Sequence, residues 1–154
     1  MPNHHDESST VPLTPEQQQV LAAVAGAYGR AAPEGWLRLV VRNETSVDPE
    51  HRGGVAVQQV VRRTPDGLVQ EAFHEPDEMF FELADLLDEL AAASPTRTVV
   101  LHLVVDADGS HTARLEQDVP RVLAGVRDDT SSKPVHEYLE RNRAELEELA
   151  ARLG

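Results

Sequence analysis

Two groups of short alternating segments, each closed by a tight turn, constrain this chain more than any other feature. From Trp36, residues alternate with period two: Trp36, Arg38, Val40 and Arg42 point one way, Leu37, Leu39 and Val41 the other. That is the pattern of a half-buried strand. Residues 43–54 read as a polar loop. Alternation returns over 55–62, with Val55, Val57, Gln59 and Val61 set against Ala56, Gln58, Val60 and Arg62. Thr64-Pro65-Asp66-Gly67 is a turn sequence and leads into a third strand over 68–73. Residues 98–105 form the most β-branched run, which Asp106-Ala107-Asp108-Gly109 turns back into a partner over 111–115. Turns this short join antiparallel neighbours, because a parallel pair needs a crossover of roughly a dozen residues or more.

Three helical patterns surround these strands. Thr14-Pro15-Glu16-Gln17 offers an N-cap hydroxyl, a proline at the first helical position and a Gln three residues on, the elements of a capping box. Val20, Leu21, Val24, Ala27 and Tyr28 follow on one face, and Gly29 and Pro33 end the helix. Glu75-Pro76-Asp77-Glu78 opens a second helix running to about Ala93, its apolar stripe made by Phe80, Leu83, Leu87 and Leu90. Pro134 opens a third over 134–153, with Tyr138, Leu139, Leu146, Leu149 and Leu153 on one side and Glu and Arg spaced to pair along it. The order α-β-β-β-α-β-β-α predicts an α+β fold, an antiparallel sheet of about five strands with helices packed on one face. Whether the last helix joins that packing is left open. Residues 1–13 are polar and aperiodic and read as a disordered lead-in; 14–154 form one domain.

Charge narrows the function. The chain carries 27 acidic against 14 basic residues, a net charge of -13. Such a field repels nucleic acid and anionic membranes, and it either steers in a basic partner or simply keeps the protein in solution. With no cysteine, neither disulfides nor thiolate metal sites are possible. The start MPNHHDESSTVP lacks the basic and apolar regions of a signal peptide, and no segment has the roughly 20 apolar residues of a membrane span. A cytoplasmic protein is expected.

Signatures of chemistry are sparse. His102 and His111 flank a turn holding Asp106 and Asp108, but that register sets His111 opposite Asp106 and leaves His102 several pairs away, too far to share an ion. The turn also resembles the start of a calcium loop without its later Glu. His4-His5 lies in the tail, and His74 beside Glu75 fits a capping role better than an acid/base pair. No nucleophile elbow, phosphate loop, zinc-binding helix motif or dinucleotide fingerprint occurs. No enzyme, metal or cofactor is expected.

One feature remains unexplained by local structure. Glu78, Glu82, Asp85 and Glu89 form a row opposite the apolar stripe of the second helix, and no Lys or Arg occurs between Arg63 and Arg97. This row is the candidate partner-binding surface. The helix ending in Tyr28, the segment Ala32-Pro33-Glu34-Gly35-Trp36 leading into a strand, the helix Phe81-x-Leu83-x-x-Leu86-Leu87-x-x-Leu90 and the hairpin after it together resemble the YezG-like immunity proteins. The resemblance covers about residues 20–115. It implies a small acidic cytoplasmic protein that binds and neutralises a toxin, often a nuclease. The alternative reading is a secretion-chaperone-like or regulatory module that binds through apolar parts of its helices. Pro33-Glu34-Gly35-Trp36 itself has a structural explanation, turning helix into strand with the only Trp at the edge of a small core.

Overall fold

A computed structural model describes residues 11–154, which form one five-stranded antiparallel sheet in the order β3-β2-β1-β4-β5. β1 (Trp36–Ser46) is central, paired with β2 (Gly53–Thr64) on one side and β4 (Thr98–Asp106) on the other; β3 (Gly67–Ala72) and β5 (His111–Glu116) are the edges. The α+β class, the antiparallel sheet and the element order are those the short turns imply, since each turn returns the chain beside the strand it has left. At the β2–β3 turn the Thr64 hydroxyl accepts from the Asp66 N–H at 3.2 Å and donates to the Gly67 carbonyl at 2.9 Å.

α1 (Pro15–Ala31) begins with the expected capping box: Gln17 N–H donates to Thr14 Oγ1 at 3.1 Å, and Thr14 N–H donates to Gln17 Oε1 at 2.9 Å. α1 and α2 (Phe80–Ala92) lie on one sheet face. Leu21, Val24 and Tyr28 of α1 and Leu83, Leu87 and Leu90 of α2 meet Leu39, Val41, Leu101 and Leu103 there in the main core. Ordered contacts begin ahead of Thr14. Val11 is buried and its N–H donates to the Leu115 carbonyl at 3.1 Å, while Leu13 packs on the same core. The expected disordered lead-in is therefore too long at its end; its residues 1–10 lie outside the described residues.

The C-terminal segment settles on the opposite face. α3 (Lys133–His136), α4 (Tyr138–Arg141) and α5 (Arg143–Leu153) place Leu139 and Leu146 against Val61, with Leu68 and Tyr138 beside them, as a second core. Helices on one face thus describes α1 and α2, and the C-terminal helices add a third layer. The helix expected over 134–153 is interrupted at Glu137 and Asn142. Gln70 of β3 explains the first break: its Nε2 donates to the Val135 and His136 carbonyls at 3.1 and 2.8 Å, and its Oε1 accepts from Leu139 N–H at 2.7 Å. A side chain inserted between a carbonyl and the N–H four residues on interrupts the helical ladder. At the second, Asn142 Nδ2 donates to the Tyr138 carbonyl at 2.9 Å.

Because both faces are covered, β1 is buried at every position except Trp36 and Asn43, which are partly exposed, rather than on one face only. Arg38, Arg42 and Glu44 on its polar side are 8%, 4% and 0% exposed. Arg38 holds Asp106 through two bonds, 2.6 and 3.0 Å, and reaches Tyr138 Oη at 2.9 Å and Glu145 at 2.7 Å. Glu44 accepts from Arg42 at 2.9 Å and from the N–H groups of Arg121, Val122 and Leu123 at 2.9, 3.0 and 2.8 Å. Burial works against its ionised form, yet those bonds outweigh it and hold the carboxyl below the usual range. The loop expected over 43–54 accordingly shrinks to 47–52. Asn43, Glu44, Thr45 and Ser46 continue β1, Glu44 satisfied by a distant segment.

Candidate functional site

α2 starts later than its sequence implies. Glu75 to Glu78 lie before it, Phe80 N–H donates to the Asp77 carbonyl at 3.2 Å, and Met79 takes the left-handed conformation at φ 68° while packing on the main core. A residue there cannot sit inside a helix, so the helix begins at Phe80. Glu78 therefore leaves the proposed row. It also has a cation after all: Arg30 of α1 donates to its two carboxylate oxygens at 3.3 and 2.7 Å. His74 is exposed, ahead of the helix, and caps nothing.

Glu82, Asp85 and Glu89 remain in the row. All three are exposed on α2, and none forms an ion pair among the described residues. Asp88, also exposed, widens the row, and no basic residue lies within the helix. Like charges three and four apart cost a helix a few tenths of a kcal/mol per pair, about 0.2–0.5. Glu89 also lies in the last turn, where the helix dipole favours cations. Glu82, in the first turn, suits the dipole, so the cost to the helix lies in the like-charge pairs and in Glu89. Sequence spacing already placed Asp88 beside Asp85, and this residue was missed.

Two aromatic side chains flank the acids. Phe80 is 42% exposed and Phe81 74%, their rings edge to face at 5.3 Å between centroids. Phe80 was expected in the apolar stripe, but the buried stripe is Leu83, Leu86, Leu87, Leu90 and Ala91. Adjacent residues project about 100° apart on a helix, so a Phe-Phe pair at its first turn cannot wholly face the core. Below Phe80 an open groove of about 700 Å³ runs between α2 and the sheet end formed by β1 and β2.

The two histidines that flank the second hairpin turn lie apart. His111 is opposite Val105, not Asp106, because Asp106 N–H pairs with the Ser110 carbonyl and lengthens the turn. His102 is opposite Arg114, and the alternation of the strand puts the two histidines on opposite sheet faces. His102 Nε2 lies 3.0 Å from Glu116 Oε1, and Arg114 also binds that carboxylate. No third reactive group joins them, and among the described residues no three His, Asp or Glu gather as metal ligands would. No helix among the described residues is long and apolar enough to cross a membrane. No protein-family model and no curated protein matches the chain.

Proposed function

We propose that this protein is an immunity-type binding protein, which neutralises a basic partner such as a cationic nuclease toxin through the exposed acidic face of α2. The observation that carries the reading is the row Glu82, Asp85, Asp88 and Glu89: exposed, without an ion-pair partner among the described residues, and crowding like charges three and four apart on one helix. Retention of a locally costly charge row is accounted for when the missing cations belong to another molecule. The net charge of -13 extends the same field over the surface. Electrostatic steering raises association from about 10⁵–10⁶ to about 10⁸–10⁹ M⁻¹s⁻¹ at low salt. The reading places the protein in the cytoplasm, where a toxin would act, and assigns it no reaction of its own.

The test is capture on the full-length tagged protein from the cells that make it. A basic protein is expected at low ionic strength, released in about 1 M salt, where the screening length falls to roughly 3 Å; producing both together should relieve the captured protein's toxicity. Salt-insensitive capture, or a captured protein without toxicity, contradicts the reading. The exposed Phe80–Phe81 pair favours a second reading, a chaperone-like module that holds apolar segments of an exported protein. Under that reading salt strengthens or spares binding, and Phe81→Ser abolishes it.

A further inference from the structure

A strand edge that no chain covers is a template for another strand. β3 pairs with β2 only over Gln59 to Thr64, and the last bond of that ladder runs from Phe73 N–H to the Gln58 carbonyl at 3.2 Å. This bond fixes direction. The backbone polar groups of Gln58 point away from β1, and the register of β1 on β2 is unbroken beyond Arg38. Those of Ala56 and Gly54 therefore point the same way. After Phe73 the chain departs through Pro76 toward α2, and among the described residues Gly54 and Ala56 have no strand on the side away from β1. The β5 edge, in contrast, is covered where Val11 bonds to Leu115.

The open stretch adjoins the groove beneath α2. On that sheet face Gly54 and Ala56 are small and lie beside Thr45 and Asn43, leaving space under Leu83 and Leu87. Asn43 accepts from Thr45 Oγ1 at 2.7 Å, and its amide nitrogen has no partner among the described residues. Tyr28 Oη donates to Gln58 Oε1, and Gln58 Nε2 donates to the Phe73 carbonyl at 3.2 Å, so one end of the gap is closed by a fastened side chain. Asp88, Glu75 and Arg52 also line the groove. Glu82, Asp85 and Glu89 are exposed on the same helix as Asp88.

We infer that the gap takes an extended segment of a basic partner, which joins the sheet as a strand beside β2 at Gly54 and Ala56. Backbone bonds to that edge hold the segment. Its alternate small apolar side chains enter the groove, and flanking Lys or Arg meet the acids of α2. The cationic character of the segment rests on the proposed function; its strand geometry rests on the open edge.

The probe is the synthetic peptide Lys-Arg-Val-Thr-Val-Thr-Val-Lys-Arg, added to the isotope-labelled full chain at low salt, with amide exchange followed by NMR. At a peptide concentration about ten times its Kd, exchange at Gly54 and Ala56 is expected to slow about tenfold, because the free edge is then populated about a tenth of the time. Ala56→Pro removes an N–H on the open side and none that faces β1, so it should weaken peptide binding while leaving the melting temperature close to wild type. Unchanged exchange at both residues, with resonance shifts confined to Glu82, Asp85 and Glu89, overturns strand addition and leaves the acidic face standing. Absence of peptide binding also overturns it, and the capture experiment then decides separately on the proposed function.

Discussion

Gly35 has φ 80°, its carbonyl accepts from Arg63 N–H at 2.8 Å, and a Cβ on it would lie 2.9 Å from the Arg63 carbonyl oxygen. A left-handed backbone costs a non-glycine residue roughly 1–2 kcal/mol, and the contact with backbone cannot relax by a side-chain movement. Gly35→Ala is therefore expected to destabilise the fold by about 2 kcal/mol or more, read from chemical denaturation. Glu116 offers a test by pH. The bond from His102 is the main cause that holds its carboxyl down at about 2; burial opposes it, and Arg114 assists. A carboxyl lowered in the folded state stabilises above its unfolded value of about 4.5 and loses that contribution as pH falls toward about 2. Glu116→Gln should thus flatten the decline in stability between about pH 4.5 and 2, and an unaltered acid limb would contradict the assignment.

At the scale of elements, α2 was legible in its middle and illegible at its start. Leu83, Leu87 and Leu90 repeat at helical spacing, and the core takes all three. The start depends on Met79 entering that core in a left-handed conformation and on Arg30 reaching Glu78 across 48 positions, neither of which local spacing records. The last turn holds another prediction. Arg97 Nη1 donates to the Ala92 carbonyl at 3.0 Å, supplying a cation that the helix lacks, whereas Glu89 opposes the dipole there. Glu89→Lys is expected to raise the stability of the isolated protein by about 0.3–1 kcal/mol, measured by thermal denaturation, and to slow partner association. A stabilised variant that associates more slowly separates binding from folding.

The whole molecule is a sheet with a core on each face, and the second core was the harder to read. Arg38, Arg42 and Glu44 look like the solvent side of a strand until Glu145 and the backbone of 121–123 are brought over them. The apolar run Leu139, Leu146 and Leu149 announced a helix needing cover, but the identity of the cover, Val61 and Leu68, lies in tertiary pairing. The acidic row was legible from charge alone, in three of its four members; the groove and the open β2 edge were not, because they result from β3 ending early. Leu146 is 0% exposed, so Leu146→Ala should cost about 2–5 kcal/mol if the C-terminal layer belongs to one cooperative unit; two separate denaturation transitions would deny that.

The central claim is that the acids of α2 face a partner rather than serve the fold. Its most direct test is the association rate of the captured basic protein with wild type and with the triple variant Glu82→Lys, Asp85→Lys and Glu89→Lys, across ionic strength. Glu78 is left intact because it is paired with Arg30. The expected result is a variant that melts at or above the wild-type temperature, associates at least about tenfold more slowly at low salt, and converges on wild type as salt screens the charges. Equal rates at low salt, or a variant that unfolds, would contradict it.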